Sequence, residues 1–330
     1  MTKNNAVIKG TGYCLPKNTI NNLEIVSRLN STVEFIETRT GVLTRQHVDS
    51  NQGLSDLMLP AMTKALHDAK LDASNIDMLI VNTLSPDFHD PSQACLLQGK
   101  LDFNDIPVFD IRAQCTGLIY CLDIAHQYLE SGKHENIMIV CGEVLSKRMD
   151  YSDDGRNLSI LLGDGAGAVI VGKSDSEKNN SKGIIDTIIK ADGNYFKLLW
   201  TESPGSANDT FNEGIPYFRM NGKDMFNHAL SKFVEISETI LKKHNLSLED
   251  IDLIIPHQPN MRILDKVIER LNIPLEKILL NVESLGNMAS GSLPVTLAMA
   301  REEGRLKEGD LCLIVGYGSG ATWGATLYQN

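Results

Sequence analysis

Phe109-Asp110-Ile111-Arg112-Ala113-Gln114-Cys115-Thr116-Gly117-Leu118-Ile119-Tyr120-Cys121-Leu122 joins a strand-like run to a long helical pattern, with a cysteine standing at the junction. The run Ile106 to Ile111 reads as a strand, and a small polar turn follows it. The helical pattern opens at Thr116-Gly117 and continues to Ser131-Gly132, with Leu118, Ile119, Cys121, Leu122, Ile124 and Ala125 covering most of its circumference. A helix that is apolar nearly all round is buried. Its first turn offers unpaired N–H groups and the positive end of the helix dipole in a place with little water. Both effects favour thiolate over thiol, which makes Cys115 a candidate nucleophile. The alternative is a buried structural cysteine.

Composition sets the outer bounds. The 330 residues are 42% hydrophobic, enough for one large core or two domains. The net charge of −11 comes without any Lys/Arg cluster, which argues against a nucleic-acid surface. Met1-Thr2-Lys3-Asn4-Asn5 leads into a strand and not into the apolar core of a signal peptide. No apolar run approaches the ~20 residues of a membrane span. The six cysteines, Cys14, Cys95, Cys115, Cys121, Cys141 and Cys312, form no CxxC pair and have no histidines at zinc spacing. The expectation is a reduced, cytoplasmic protein with no structural metal.

Strands are expected over Ala6–Gly10, Ile76–Val81, Ile137–Val140, Leu158–Leu162 and Ala166–Val171, with a helix over Leu54–Lys70. Short helices are expected over Leu23–Leu29 and Val33–Glu37. Gly10-Thr11-Gly12 lacks the third glycine of a dinucleotide fingerprint, and Pro16 follows where a helix should open. Gly163-Asp164-Gly165 reads as a tight turn between two strands, with a phosphate cradle as the lesser alternative. Residues 173–182 are polar throughout and read as a linker.

Beyond the linker the pattern begins again, with a strand Gly183–Lys190 and a helix Phe226–Lys243. Leu71-Asp72-Ala73-Ser74-Asn75-Ile76-Asp77-Met78-Leu79-Ile80 is echoed 175 residues later by Leu246 to Ile255. Asn136 to Gly142 is echoed at a shift of 174 by Asp310 to Gly316, and that shift sets Cys115-Thr116-Gly117 on Ala289-Ser290-Gly291. The chain therefore reads as two duplicated β/α halves, residues 1–172 and 183–330, with mainly parallel sheets under helix cover. Two such halves have a pseudo-dyad, where their corresponding central helices meet.

The second half supplies two further candidates. His257, in Ile255-Pro256-His257-Gln258-Pro259-Asn260, lies past the carboxyl end of an apolar strand, where open α/β sheets place their sites. Asn287 lies in the turn Leu285-Gly286-Asn287-Met288-Ala289-Ser290, as a site residue or a helix cap. The loop Gly316-Tyr317-Gly318-Ser319-Gly320 would let backbone N–H groups approach a ligand. Histidines 47, 67, 89, 126, 134, 228 and 244 read as solvated or structural. The order Cys, His, Asn also occurs in papain-like proteases, but their Cys-Gly-Ser-Cys-Trp signature is absent.

The Cys115 segment, His257-Gln258-Pro259-Asn260-Met261-Arg262, Gly286-Asn287, Gly163-Asp164-Gly165-Ala166-Gly167 and Thr322-Trp323-Gly324 together resemble β-ketoacyl-acyl-carrier-protein synthase III, in order and over nearly the whole chain. The resemblance implies a thiolase-like αβαβα fold, a homodimer, and Cys115, His257 and Asn287 as a catalytic triad. It implies an oxyanion hole from the N–H groups of Cys115 and Gly320. It implies substrate contacts from Phe35, Arg39, Thr40, Arg156, Gly222, Phe226 and Asn260, and carrier-protein docking at Arg262 and Arg270. The implied reaction is a decarboxylative condensation of an acyl thioester, held on Cys115, with a malonyl thioester. The resemblance further implies coenzyme A and acyl-carrier-protein thioesters as substrates and no cofactor.

The chain departs from the family pattern at Phe35, where Trp is frequent, and at Asp90, Pro259, Met288-Ala289 and Ser319. Asn227 and Glu269 stand at positions that are often Lys. Two rival readings follow: acyl transfer from Cys115 to a small acceptor without decarboxylation, and a silent carrier-binding partner subunit. A silent subunit needs none of Cys115, His257 and Asn287.

Overall fold

The computed structural model describes residues 6–174, 182–201 and 217–330. The expected linker, 173–182, falls largely outside them. One sheet has the order β1-β7-β6-β4-β5, built from β1 (Ala6–Cys14), β4 (Met78–Asn82), β5 (Val108–Ile111), β6 (Asn136–Glu143) and β7 (Gly165–Lys173). The other has the order β11-β12-β13-β8, from β8 (Gly183–Ala191), β11 (Leu253–Pro256), β12 (Leu311–Gly318) and β13 (Thr322–Gln329). Two small ribbons complete the strands: β2 (Asn18–Asn21) with β3 (Thr44–His47), and β9 (Leu199–Thr201) with β10 (Phe218–Met220). The helices are α1 (Asn22–Val26), α2 (Val33–Thr40), α3 (Ser55–Ala69), α4 (Gln93–Gln98), α5 (Gly117–Glu130), α6 (Arg156–Ser159), α7 (Gly222–Lys243), α8 (Met261–Leu271), α9 (Val282–Leu285) and α10 (Ser292–Glu302).

Strand alternation explains the layers. In β6, Ile137, Ile139 and Cys141 pack with α5 and α10, while Met138 and Val140 pack with α3 on the other face. In β12, Cys312 and Ile314 join the same α5–α10 layer, while Leu313 and Val315 face α7 and α8. A strand buried on both faces needs apolar residues at every position, and β6 and β12 have them. The result is five layers, with α5 and α10 sandwiched between two sheets.

Three expectations need correction. The sheets are mixed: β4 runs parallel to β5 and β6, and β11 to β12, but β7, β1, β13 and β8 pair antiparallel. Leu158–Leu162 is not a strand. It is the end of the short helix α6 and a following turn, in which the N–H groups of residues 158 to 162 donate back to the carbonyls of Gly155, Arg156 and Leu158. Asp164 accepts from the N–H groups of Val48 (2.9 Å), Leu145 (2.7 Å) and Ser146 (2.9 Å). The Gly163 and Asp164 N–H groups are spent on Asn287 O (3.0 Å) and Gln46 O (2.8 Å), which leaves neither to cradle a phosphate.

The third correction concerns the repeat. Left-handed residues recur at Lys70 and Asn245 (φ 54° and 55°) and at Gln114 and Ala289 (φ 47° and 44°). Short 3-10 turns recur at Gln114–Thr116 and Ala289–Gly291, and helix starts at Gly117 and Ser292. All lie 175 residues apart, so the counterpart of Cys115 is Ser290 and not Ala289. Matching Gly142 to Gly316 by residue type slid the strands by one position.

Candidate active site

Cys115 sits in the 3-10 turn between β5 and α5, 6% exposed. The turn is braced by Asn82 at the end of β4, whose Oδ1 accepts from Ala113 N–H (2.9 Å) and whose Nδ2 donates to Gln114 O (3.1 Å). Gly117 must lack a side chain here, since a Cβ would lie 2.1 Å from Asn82 Nδ2. Gly318, from the end of β12, is less crowded, with its Cβ position 3.1 Å from Cys115 N.

The thiol is not poised as thiolate. Burial, and next the Glu143 carboxylate, push it up to about 12. Desolvation thus outweighs the helix terminus that the sequence suggested would lower it. Backbone N–H groups oppose the shift, those of Cys115 itself and of Ser319. From the glycine-rich loop, then, it is the Ser319 N–H that favours the thiolate. Gly320, the donor expected from the sequence, lies one residue further on the cavity wall, with φ 134°. Register fixes this: Gly318 pairs with Thr322, so Ser319 is the first residue off the strand.

His257 follows β11 directly, and its N–H donates to Val315 O on β12 (2.7 Å). The ring is 2% exposed, and burial lowers its pKa to about 3. Its Nδ1 is buried without a hydrogen-bond partner among the described residues. The imidazole is therefore neutral at any working pH, and a neutral ring carries one N–H that a substrate oxygen can accept. The sign for stability follows: the unfolded chain binds the proton below about 6.5, so this burial costs stability progressively as pH falls from there toward 3. An NMR titration is expected to show no inflection of the His257 ring between about pH 5 and 8. An inflection near 6.5 would mean that water reaches the ring.

Asn287 is held from both sides of the seam. Its N–H donates to Leu161 O (2.9 Å), and its carbonyl accepts from Gly163 N–H (3.0 Å). Its side-chain Oδ1 accepts from Ala289 N–H (2.8 Å), which fixes the amide so that Nδ2 is left as donor. Gln258 ties the His257 and Asn287 segments together: its Oε1 accepts from Asn281 N–H (2.8 Å) and Val282 N–H (3.0 Å).

Cys115, His257 and Asn287 all line one cavity of about 450 Å³. Leu145, Leu158, Leu161 and Leu162 make one apolar wall, and Leu199, Phe218 and Met220 another. Ser319, Gly320 and Asn260 also line it. Asn260 additionally caps α8, accepting from Ile263 N–H at 3.0 Å.

The other expected contacts are dispersed. Phe35 lies on α2 with the guanidinium groups of Arg39 and Arg156 over its ring, 5.6 and 5.4 Å from the centroid. Thr40 is buried, its hydroxyl donating to Ile36 O (2.6 Å) and accepting from Val42 N–H (3.0 Å), so it braces the end of α2 and does not face the cavity. Gly222 is the exposed first residue of α7, and Phe226 lies one turn on with Arg262 over its ring at 5.6 Å. Arg270 is also exposed, at the far end of α8 about 12 Å from Arg262 along the axis. Among the described residues no group of His, Cys, Asp and Glu could hold a metal, and no helix is long and apolar enough to cross a membrane.

Sequence reasoning missed Ser319, Asn82, Ser290 and Glu143. The repeat held the signal for two of them: a shift of 175 from His257 lands on Asn82, and from Cys115 on Ser290.

Comparison with known proteins agrees with this architecture. Residues 109–193 match the family described as 3-oxoacyl-[acyl-carrier-protein (ACP)] synthase III, and residues 241–330 match its C-terminal family. The chain is 39% identical over 326 residues to a beta-ketoacyl-[acyl-carrier-protein] synthase III of Syntrophomonas wolfei, covering 98% of this chain and 96% of that one. The solved 3-oxoacyl-[acyl-carrier-protein] synthase III of Aquifex aeolicus superposes with a TM-score of 0.90 at 36% identity, over 98% of this chain and 100% of that one. The priming beta-ketosynthase of the R1128 polyketide pathway gives a TM-score of 0.91 at 29% identity, over 99% and 97% of the two chains.

Proposed function

The chain belongs to the 3-oxoacyl-[acyl-carrier-protein] synthase III family of thiolase-like acyltransferases, and from that premise we propose that it joins an acyl group held on Cys115 to a malonyl-type thioester with loss of CO2, in fatty acid or polyketide biosynthesis. One observation carries the reading. A buried thiol, a neutral buried imidazole and an amide with its donor left free meet on one largely apolar cavity.

The Cys115 sulfur attacks the acyl thioester, and its proton ends on the departing thiol. The Cys115 and Ser319 N–H groups stabilise the oxyanion. The malonyl thioester then enters, and its carbonyl oxygen accepts from His257 and Asn287. Loss of CO2 leaves an enolate whose charge these two neutral donors bear. The enolate carbon attacks the acyl carbon, a tetrahedral oxyanion forms in the same hole, and its collapse releases the β-ketoacyl product and the Cys115 thiolate, which takes one proton from solvent. Every partner in this scheme is a protein N–H or thiol, so no cofactor takes part.

On this reading Phe35, Arg39 and Arg156 receive the adenine end of coenzyme A, while Asn260 and Phe226 border the channel inward. Arg262, exposed beside that border, is suited to the acidic surface of an acyl carrier protein. A homodimer working in the cytoplasm, where its free cysteines stay reduced, completes the proposal.

The test is product stoichiometry. With an acyl-coenzyme A and a malonyl thioester, one CO2 is expected for each β-ketoacyl product. Acyl transfer to an acceptor without CO2 would replace this reading by simple acyl transfer.

A further inference from the structure

The 175-residue correspondence applies to the reaction site itself. Cys115 in the first half is faced by His257 and Gly318, from the ends of β11 and β12 in the second. Their counterparts are Ser290, Asn82 and Glu143. These also meet: Ser290 Oγ lies 2.5 Å from Glu143 Oε1 and 3.4 Å from Asn82 O. The pseudo-dyad thus produces a second site, related to the first. Where Gly318 leaves space beside Cys115, Glu143 fills the corresponding space beside Ser290.

The filling is complete. Glu143 is 0% exposed. Its carboxylate accepts from Ser290 Oγ, Ser85 Oγ (2.5 Å), Thr83 Oγ1 (3.0 Å) and Leu84 N–H (3.1 Å). Four donors on one buried carboxylate make a rigid anchor. What it anchors is the turn Ala289–Gly291, and Ala289 is the residue whose N–H fixes the Asn287 amide.

We propose that Glu143 is the positioning residue of the decarboxylation step, holding Asn287 in donor geometry through Ser290 and Ala289. The proposal rests on the function set out above. It assigns a role to a carboxylate that touches no substrate. It also gives the blind site a reason to be occupied by an acid: a hydroxyl at the Cys115-equivalent position is engaged as a donor and is unavailable as a nucleophile.

Glu143 has a second effect on the working site. Its charge is felt at Cys115 and opposes thiolate formation. Burial lifts Glu143 itself to about 7 in spite of its four donors. The other ionisable groups around Cys115 are His257 at the end of β11, Tyr317 on β12, and Arg112, Arg148, Asp87 and His89 on the cavity wall. Of these, Arg148 also feels the Glu143 charge, which favours its guanidinium cation.

The experiment compares Glu143→Gln and Ser290→Ala with the wild type in two assays on the full chain. One is malonyl-thioester decarboxylation, read as kcat and KM. The other is the pH dependence of Cys115 alkylation by iodoacetamide. Both variants are expected to lose about 10-fold in decarboxylation kcat with little change in KM, since the donor is misaimed and not removed. In Glu143→Gln the alkylation profile is expected to move about one pH unit lower, toward greater reactivity. In Ser290→Ala, which keeps the charge, the profile stays in place.

Unchanged decarboxylation in both variants would overturn the proposal. So would parallel losses of decarboxylation, acylation and thermal stability with a fixed alkylation profile, because that pattern describes a core brace. If the wild type decarboxylates no malonyl thioester, the functional reading itself fails, and that result is distinct from either.

Discussion

Wild-type protein incubated with a panel of acyl-coenzyme A esters gains the mass of one acyl group from its preferred donor, and Cys115→Ala gains none. The expected loss of the overall reaction is at least about 10³-fold, as for removal of a covalent nucleophile. The other cysteines do not offer a substitute. Cys121, Cys141 and Cys312 are buried in the layer between the sheets, while Cys14 and Cys95 lie away from the cavity. The buried thiol, held near 12, also predicts how the reaction proceeds. Resting Cys115 is neutral, so it should react slowly with iodoacetamide at pH 7 yet readily with a thioester that seats its carbonyl against the Cys115 and Ser319 N–H groups. Undiminished acylation of Cys115→Ala, read by intact-protein mass spectrometry, would remove Cys115 from the mechanism.

Asn287→Asp is expected to separate the two half-reactions. Acylation of Cys115 should persist, because Asn287 takes no part in seating the first thioester. Malonyl decarboxylation should fall by about 10²–10³-fold, the cost of losing one preorganised donor to a developing oxyanion. The variant should fold normally. A carboxylate keeps the acceptor that Ala289 N–H uses, and the backbone contacts to Leu161 and Gly163 are untouched. What changes is the second side-chain atom, from a donating Nδ2 to an anionic oxygen facing the enolate. Release of CO2 from a malonyl thioester, followed without condensation, reads this directly. A rate equal to wild type would mean that Asn287 does not touch the reacting carbonyl.

Much of this was legible in the chain. Of the residues gathered at the cavity, Cys115 and His257 each stand where a strand gives way to a turn, a junction written in apolar runs followed by small polar residues, while Asn287 stands in the turn after α9, marked by Gly286-Asn287. Cover on both faces of the sheets was legible too, in strands apolar at every position, whereas the order of five layers came from the family resemblance. Failures occurred where a distant group overrides a local pattern. Leu158–Leu162 has the composition of a strand, but it closes helically on Gly155 and Arg156 and is tied at Leu161 and Gly163 to Asn287 of the other half. The thiol at Cys115 has a helix start beside it, yet depth of burial decides its charge, and depth is a tertiary quantity. The loop N–H that favours the Cys115 thiolate belongs to Ser319 and not to Gly320, because strand register, and not glycine content, sets which residue first leaves β12. Thr40 matches a family position, but whether a hydroxyl faces a channel or its own helix depends on a bond made four residues away.

The nucleophile also stands at the head of one of the two most enclosed long helices described, α5 and α10. α5 and α10 are enclosed by sheet on both sides, and Leu118, Ile119, Cys121, Leu122, Leu293, Val295 and Leu297 are at most 1% exposed. Amides in such helices exchange with solvent only when a large cooperative unit opens. The first turn of α5 is therefore expected to exchange as slowly as the centre of β6, which is unusual for a segment bearing a reactive group. Small acyl groups and long ones must meet the same fixed sulfur, so accommodation of different substrates falls to the walls of the cavity. Ligand-dependent changes in exchange should accordingly appear at the ribbon of β9 and β10 and around α6, and be absent from α5.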